Sequence, residues 1–324
     1  MCLVSILIPT FNQSEYIAQA IQSALDQDYQ NLQVIVSDDA STDRTREVVK
    51  QFEADPRLSI NINPNNLGRT ANYRKCLFEL AKGEWVIVLD GDDYFCDIEY
   101  ISKAMKAASS DPDIDLVFAN AIRVRDDLDG LHELRQNENR NLPCVIEGRE
   151  LFLSLASRKI SLFHNTCVYR REKAISLDFY EKNIISSDWE SLHKYILTGK
   201  VAFIDETVAI WRIHGENASK TMSVEDRISN LQSVLGPYKL AKSLHIFPQD
   251  QVDSWLDQRL ERAARKDLRS ILKLSDLDGY QQYMQKLHDI NPRVYRQLQT
   301  SSRLFLRRLK ARLDAAIARL QTGT

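Results

Sequence analysis

The segment Val86–Asp93 constrains the fold more than any other part of this chain. Its first half, Val-Ile-Val-Leu, is an apolar run typical of a strand that is buried on both faces of a parallel sheet. Its second half places three carboxylates, those of Asp90, Asp92 and Asp93, within four residues. Unpaired carboxylates cannot lie in an apolar core, so the acidic cluster must follow the end of the strand. In open α/β sheets, ligands bind at that end.

The acidic cluster favours a site for a divalent cation and a diphosphate. Three carboxylates this close together repel one another unless a cation or several hydrogen-bond donors compensate. Mg²⁺ and Mn²⁺ prefer oxygen ligands and commonly bridge carboxylates to phosphates. Gly91 lets the backbone turn tightly between the acids. The alternative interpretation is an acidic surface turn.

Strand-like and helix-like segments alternate over the first hundred residues. The alternation predicts an α/β fold with a doubly wound, mostly parallel, Rossmann-like sheet and right-handed crossovers. The first strand is followed by Pro-Thr-Phe-Asn instead of a GxGxxG turn, which argues against a dinucleotide-binding domain. The predicted strands are Leu3–Ile8, Leu32–Val36, Leu58–Ile62 and Trp85–Leu89. The predicted helices begin at Ser14, after Ser41 or Thr42, and at Arg69.

Composition and charge exclude several classes of protein. The chain has 324 residues, 43 basic and 45 acidic, and its net charge of -2 gives no electrostatic case for nucleic-acid binding. Five scattered cysteines without a CxxC pair argue against a zinc site and fit a reducing cytoplasm. No apolar run is long enough to span a membrane. A change of character near residue 220 predicts two domains, an α/β domain over 1–220 and a helical region over 221–324.

Five motifs occur in an order that points to one family. They are Ser5–Asn12 (SILIPTFN), Val36–Asp43 (VSDDASTD), Leu89–Asp93 (LDGDD), Ser187–Glu190 (SDWE) and Trp211–Ser219 (WRIHGENAS). Together they resemble the motifs of the inverting glycosyltransferases of family 2, which have the GT-A fold. The resemblance covers residues 1 to about 220 and implies transfer of a sugar from a UDP-sugar, or a dTDP-sugar, to a hydroxyl of a glycan or lipid-linked acceptor.

The resemblance also implies a metal site and a general base. Asp92 matches the last Asp of the family's DxD motif, which binds Mn²⁺ or Mg²⁺, and His214 matches a His that completes the metal or diphosphate site. Asp188 matches the carboxylate that takes the proton from the attacking acceptor hydroxyl. The family usually has Glu before this Asp, whereas Ser187 stands here. Glu190 is the second candidate base, and a helix would turn it away from Asp188.

Other residues match positions that contact the nucleotide-sugar in the family. Asp39 matches the Asp that accepts a hydrogen bond from the uracil N–H, and its alternative role is a helix cap, which suits Asp43 better. The remaining matches are Pro9, Thr10, Asn12, Arg69, Asp90, Gly91 and Arg212. Their alternative roles are also structural: turn chemistry in the first loop, a solvated helix face for Arg69 and a salt bridge for Arg212.

The segment Arg303–Leu320 combines leucines with basic residues in a helical pattern. Such a basic amphipathic helix favours packing on the catalytic domain or on another subunit, as in a homo-oligomer, and the alternative is peripheral contact with an anionic membrane surface. The expected location is cytoplasmic, and the membrane alternative would place the chain at the inner face of the membrane.

Two alternatives to a polysaccharide-building glycosyltransferase remain at this stage. The departure at Ser187 and the helical tail are compatible with a non-catalytic scaffold that binds sugar nucleotides in a glycan assembly complex. A sugar-phosphate nucleotidyltransferase would have a Gly-rich, basic first loop, which Pro9–Asn12 lacks.

Overall fold

The apolar run at Trp85–Val88 forms a strand in the middle of a ten-stranded sheet, as its sequence predicts. The computed structural model describes residues 2–127, 130–135, 139, 141–157, 160–215, 217, 221–302, 304–311 and 314. The chain divides into two compact units, residues 1–183 with 187–217, and residues 184–186 with 218–324. The sheet lies in the first unit.

The sheet is mixed, and its first four strands in spatial order are parallel. The strands are β1 (Val4–Thr10), β2 (Leu32–Asp38), β3 (Leu58–Ile62), β4 (Trp85–Val88), β5 (Tyr94–Phe95), β6 (Ile114–Asp127), β7 (Gly130–Arg135), β8 (Val145–Glu147), β9 (Val168–Arg170) and β10 (Lys200–Ile213). The spatial order is β3-β2-β1-β4-β9-β6-β10-β5, with β7 beside β6 and β8 beside β10. The β-α-β alternation predicted for the first hundred residues is confirmed.

The helices of the first unit connect and cover these strands. They are α1 (Ile17–Leu25), α2 (Thr45–Lys50), α3 (Arg69–Lys75), α4 (Tyr100–Ala108), α5 (Gly148–Ser157), α6 (Arg171–Ser176) and α7 (Ser187–Tyr195). A π-helical turn, Cys76–Leu80, continues α3, and a 3₁₀ turn, His164–Thr166, precedes β9.

Two predicted helix starts are wrong. Helix α1 begins at Ile17 and its N-cap is Tyr16, so Ser14 does not cap it. The backbone N–H of Ser14 donates instead to Asp43 Oδ2 at 3.0 Å. Helix α2 is preceded by Asp43, whose Oδ1 accepts the backbone N–H of Thr45 at 2.9 Å, so neither Ser41 nor Thr42 caps it. Asp43 binds the first residue of α2 from the position before its N-cap, Arg44.

Both faces of the parallel strands β1, β2 and β4 are buried, whereas β3 is partly exposed. On one face, the alternate residues Val4, Ile6 and Ile8 of β1 pack in a cluster with apolar residues of α1 and α4. Leu7, from the same strand, points to the opposite face and is also fully buried, and α3 and its π-helical continuation contact β1. Burial on both faces explains the continuous apolar runs of the central strands.

The second unit is helical over its described residues. Its helices are α8 (Val224–Ser229), α9 (Gln232–Ser243), α10 (Gln249–Lys273), α11 (Leu277–Ile290) and α12 (Pro292–Gln299), and residues 304–311 are also helical. Arg227 and Tyr283 bind the buried Asp267 carboxylate at 3.2 and 2.9 Å. Within the described part of the chain, no helix is long and apolar enough to cross a membrane. The predicted helix Arg303–Leu320 falls partly outside the described residues.

Candidate active site

The carboxyl ends of β1 and β2 lie side by side, at the edge where the sequence predicts a ligand. Thr10 and Asp38 are partners in the parallel register, and the backbone N–H of Asp39 donates to the Thr10 carbonyl at 2.9 Å. The backbone N–H of Leu89 donates to the Leu7 carbonyl at 2.9 Å, which brings the start of the acidic cluster to the same edge. Residues that are far apart in sequence therefore lie close together at the carboxyl ends of adjacent strands.

Asp39 orders the turn that follows β3. Its Oδ1 accepts hydrogen bonds from the Leu67 backbone N–H at 2.8 Å and from Asn63 Nδ2 at 2.9 Å, and its Oδ2 accepts the Gly68 backbone N–H at 2.9 Å. Gly68 has a φ of 88°, a conformation that favours glycine. A carboxylate has about four acceptor positions. Asp39 therefore keeps acceptor capacity on Oδ2 after it has fixed the turn, and it does not cap a helix.

The first loop residues hold neighbouring loops together. Asn12, at a φ of 51°, accepts the Thr42 backbone N–H on its Oδ1 at 2.8 Å. The Thr10 hydroxyl donates to Gln13 Oε1 at 2.7 Å, and Pro9 is buried within β1. Thr10 and Asn12 thus have partners within the protein, and their contact with a nucleotide stays a prediction.

Gly91 lies against this first loop. A Cβ atom at this position would overlap Gln13 Oε1 and lie 3.0 Å from Thr10 Oγ1. The close approach explains why the turn between the acidic residues has no side chain there. It also fixes the distance between the first loop and the acidic cluster.

Tyr73 of α3 holds Asp90. Its hydroxyl donates a hydrogen bond to Asp90 Oδ1. Burial raises the pKa of the Asp90 carboxyl; His164 opposes this rise and Asp92 adds to it. His164 is fixed in turn by a 2.8 Å hydrogen bond between its Nε2 and the Tyr180 hydroxyl.

Asp92 and His214 form the pair that the resemblance assigns to a metal. His214 Nε2 lies 2.8 Å from Asp92 Oδ2, and Asn217 Nδ2 lies 3.3 Å from the same oxygen. The His214 ring stacks on Tyr16 with a centroid distance of 4.9 Å and an interplanar angle of 25°. Strand β10 therefore delivers His214 to the acidic cluster from 122 residues away.

This pair fits a cation that takes most of its ligands from a substrate. Mg²⁺ is usually held by one or two carboxylates plus substrate phosphates and water, and Mn²⁺ accepts both oxygen and imidazole ligands. Among the described residues, no three His, Cys, Asp or Glu side chains converge into a complete protein cage. A metal at Asp92 and His214 therefore stays a prediction.

Arg212 and Asp93 brace the acidic cluster. Asp93 Oδ1 accepts the Arg212 backbone N–H at 2.9 Å, and Oδ2 accepts Asn165 Nδ2 at 2.9 Å. Burial raises the pKa of the Asp93 carboxyl well above its usual range, and the neighbouring Asp92 adds to this effect. The Arg212 guanidinium donates to the Asp92 carbonyl at 3.0 Å and to Gln19 Oε1 at 2.7 Å. Arg212 is buried, and these contacts make it a support for Asp92.

Arg69 lies beside Tyr73, with its Nη1 3.5 Å from the Tyr73 hydroxyl, which in turn holds Asp90. Burial opposes the charge of the Arg69 guanidinium, but Tyr73, Asp188 and Asp90 together raise its pKa above the usual value. Asp188 is half-buried in the first turn of α7. Arg74 is directed elsewhere, to Asp178 at 2.5 Å.

Glu190 has a different environment from Asp188. Its side chain is only 1% exposed, and its Oε1 lies 3.1 Å from Lys194 Nζ. Burial raises the pKa of the Glu190 carboxyl, although Lys194 opposes this rise. Glu190 therefore points into the protein, as its helical spacing from Asp188 predicts.

The fold agrees with comparisons to known proteins. Residues 5–175, more than half of the chain, match the profile of Glycosyl transferase family 2. The chain belongs to glycosyltransferase family 2. The predicted family and enzyme class are confirmed.

Relatives of this family 2 glycosyltransferase are found among proteins and structures. The uncharacterized protein Rv1520 of Mycobacterium tuberculosis is 26% identical over 328 residues, which cover 97% of this chain and 90% of that protein. The UDP-Glc:alpha-D-GlcNAc-diphosphoundecaprenol beta-1,3-glucosyltransferase WfaP of Escherichia coli is 39% identical over 95 residues, which cover 29% of this chain and 37% of that enzyme.

Solved structures show the same fold. TarS of S. aureus matches with a TM-score of 0.65 and 18% identity over 93% of this chain and 50% of that chain, so the glycosyltransferase spans half the length of TarS. The mannosyltransferase PcManGT from Pyrobaculum calidifontis, solved in complex with GDP-Man and Mn²⁺, matches with a TM-score of 0.55 and 18% identity over 96% of this chain and 87% of that chain. The predicted GT-A fold is confirmed.

Several site residues of this glycosyltransferase were not predicted from the sequence. Tyr73 could have been found, because it follows Arg69 by four residues and so shares its helix face. Asn63, which donates to Asp39, stands in a turn-forming Asn-Pro-Asn-Asn segment. Nothing in the sequence around Tyr180 indicates a role in the site. Its backbone adopts a φ of 61°, which is rare for a bulky residue. Ser219, part of the last motif, lies outside the described residues.

Proposed function

We propose that this glycosyltransferase moves a sugar from a UDP-sugar to a hydroxyl of a glycan or lipid-linked glycan, with inversion at the anomeric carbon. One observation carries the proposal. Strand β10 carries His214 Nε2 to 2.8 Å from Asp92 Oδ2, at the edge of the sheet where Asp39 and Asp90 follow their strands. A donor diphosphate and its cation need such a convergence of polar groups, and transfer also requires that the acceptor hydroxyl meet the anomeric carbon while its proton is removed.

Asp39 is the proposed contact for the nucleobase. Its remaining acceptor capacity suits the ring N–H of uracil, which a carboxylate can accept. Phe11 follows Thr10 in the first loop, and Leu67 donates its backbone N–H to Asp39. The side chains of Phe11 and Leu67 are 44% and 46% exposed. Exposed apolar groups beside a buried carboxylate suit a planar base, whose faces are apolar and whose edge is polar. UDP is favoured over GDP because TarS has been solved with UDP-GlcNAc and WfaP is named as a UDP-Glc enzyme.

Asp92 and His214 are the proposed ligands of Mn²⁺ or Mg²⁺ at the diphosphate. A bound cation would neutralise the charge that develops on the diphosphate when UDP leaves. Arg212 holds the Asp92 backbone from within the protein, and Tyr73 holds Asp90. These contacts orient the two carboxylates before the donor arrives.

Asp188 is the proposed general base. It would take the proton from the acceptor hydroxyl as that oxygen attacks the anomeric carbon. Glu190 is unsuitable because its carboxyl is buried and bonded to Lys194. The position that usually carries Glu in the family is occupied by the buried Ser187, so no second acid stands directly before Asp188.

The proposal is tested by titrating UDP, GDP and dTDP into the full chain by calorimetry, with and without MnCl₂. We expect UDP to bind most tightly, and Mn²⁺ to strengthen binding in the wild type but not in Asp92→Ala. Asp113→Ala is the control, because Asp113 is an exposed acid that precedes β6 at the opposite edge of the sheet. A folded chain that binds none of the three nucleotides would contradict the proposal.

Catalysis is tested separately by measuring UDP release from a panel of UDP-sugars in the presence of glycan acceptors. Asp188→Asn should bind UDP normally and release none from the donor. If the wild type binds UDP but transfers no sugar from any donor in the panel, a non-catalytic sugar-nucleotide scaffold becomes the better account.

A further inference from the structure

The helical segment 304–311 has two different apolar faces. Leu304 and Ala311, seven residues apart and therefore on the same side of the helix, are 3% and 1% exposed. Phe305, Leu306 and Leu309 are 52%, 63% and 46% exposed. At about 100° per residue, these three side chains occupy an arc of roughly 100° that excludes the buried side. One face thus attaches the segment to the protein, and the other presents three large apolar side chains to water.

Basic residues border the exposed apolar face. Lys310 is exposed and lies about 40° beyond Leu306 around the helix, and the exposed Arg307 lies about 60° beyond Lys310 on the same side. On the other side of the face, the Arg308 guanidinium lies 5.7 Å from the centroid of the Phe305 ring and 5.9 Å from that of the Tyr280 ring in α11. The sequence after residue 302 contains six basic residues and one acidic residue, although the whole chain has a net charge of -2. Positive charge is therefore concentrated where apolar side chains are exposed.

We propose that this basic apolar face, formed by Phe305, Leu306, Arg307, Leu309 and Lys310, binds the surface of a bilayer that contains anionic phospholipids. Apolar side chains can enter the boundary between headgroups and acyl chains while neighbouring cations meet phosphate groups. The segment would lie on the membrane, since no helix of the described chain could cross one.

A bilayer suits this face better than nucleic acid or a protein does. The phosphates of a nucleic acid could bind the basic residues. The three exposed apolar side chains cannot form hydrogen bonds and would contribute little to phosphate binding. At a protein interface, each basic side chain needs an acidic partner at a defined position. The anionic headgroups of a bilayer instead provide negative charge over the whole surface that the helix contacts. The proposal does not depend on the proposed donor or base, because the face belongs to the second unit.

The test is co-sedimentation of the full chain with sucrose-loaded vesicles, either of phosphatidylcholine alone or of phosphatidylcholine with phosphatidylglycerol. We expect sedimentation with the anionic vesicles only, and release by salt, which screens exposed charges. The double change Phe305→Glu with Leu309→Glu should weaken binding by about tenfold or more, because two apolar side chains no longer enter the bilayer. Neutralising Arg307 and Lys310 with Gln should weaken binding by about fivefold for each charge.

Leu274→Glu is the matched control, because Leu274 is a 77% exposed leucine in the same unit but outside this face. It should sediment like the wild type, and thermal unfolding will establish that every variant is folded. Failure of the wild type to sediment with anionic vesicles would overturn the proposal, as would equal binding to neutral vesicles. Light scattering adds one more outcome. If the chain self-associates without lipid and Phe305→Glu makes it monomeric, the face is a protein interface instead.

Discussion

The Tyr73 hydroxyl donates a hydrogen bond to Asp90 Oδ1 and so links helix α3 to the acidic cluster after β4. Tyr73→Phe removes this donor but keeps the buried ring. We expect kcat to fall by about ten- to a hundredfold, the range typical when a supporting hydrogen bond beside a metal site is lost. The affinity for UDP should fall by a smaller factor, because Asp90 is one of the proposed nucleotide-sugar contacts while Asp39 and Asp92 are untouched. Steady-state kinetics of UDP release, together with calorimetry, will measure both quantities.

Tyr29→Phe is the control for this change. The Tyr29 hydroxyl also donates a hydrogen bond, to the Cys2 carbonyl at 2.8 Å, but it lies before β2 at the opposite edge of the sheet. We expect no change in kcat. If both substitutions lower kcat equally, Tyr73 acts through general stability and does not position Asp90.

Asp188→Asn and Glu190→Gln should differ sharply in transfer activity. Both are isosteric changes within the first turn of α7. Asp188→Asn removes the proposed proton acceptor, so kcat should fall by about two to four orders of magnitude. Glu190→Gln should retain most activity, because its carboxyl is buried beside Lys194. The reverse outcome, with Glu190→Gln inactive and Asp188→Asn active, would assign the base to Glu190.

Gly91→Ala should weaken both stability and nucleotide binding. The added methyl group would displace Gln13 and break its 2.7 Å hydrogen bond with the Thr10 hydroxyl. The free energy of unfolding should fall by about 1–3 kcal/mol, the usual cost of forcing a methyl group into a packed site. Gly215→Ala is the matched control, since a methyl group there meets no atom within 4 Å. Denaturant unfolding of the two variants should therefore separate them, and equal stability would contradict this account.

The stability of the first unit should depend on the ionisation of Glu190. Burial raises the pKa of this carboxyl above its usual value; Lys194 and Lys182 oppose the rise and Glu181 adds to it. Between the unfolded-state pKa of about 4.3 and the higher folded-state pKa, the folded chain binds more protons than the unfolded chain does. Ionisation of Glu190 therefore lowers stability as the pH rises through this window.

Glu190→Gln removes this contribution. The melting temperature of the wild type should fall relative to that of Glu190→Gln as the pH rises from about 4 towards neutrality. Above the folded-state pKa the difference should become constant. A difference that grows in favour of the wild type with rising pH would show that Lys194 outweighs the effect of burial.

The local pattern of the chain predicts much of the first unit. The apolar runs at Val4–Thr10, Leu32–Asp38 and Trp85–Val88 become adjacent parallel strands, because a strand buried on both faces needs apolar residues at consecutive positions. The edge of the sheet at which ligands bind follows from the same alternation. Asp39, Asp90 and Asp92 could therefore be placed at this same edge of the sheet, because each follows the end of a predicted parallel strand.

Helix starts were harder to predict than strands. Ser14 has the side chain of a helix cap, yet α1 begins at Ile17, since the Ser14 amide is bound by Asp43 from 29 residues away. The type of a side chain predicts that it can cap a helix, but hydrogen bonds to distant parts of the chain can override this local preference.

Local residue patterns were enough to predict the α/β class, the chain order of the first four strands and the motifs that place the chain in its family. Each of these depends on residues close together in the chain, whose spacing fixes local geometry. Folding of the whole chain is needed to bring His214 to 2.8 Å from Asp92, to place Arg212 against the backbone of Asp92 and to let Tyr73 hold Asp90. The Asp92 contacts cross more than a hundred residues, and all three depend on strand register and helix rotation, which no local pattern of residues specifies.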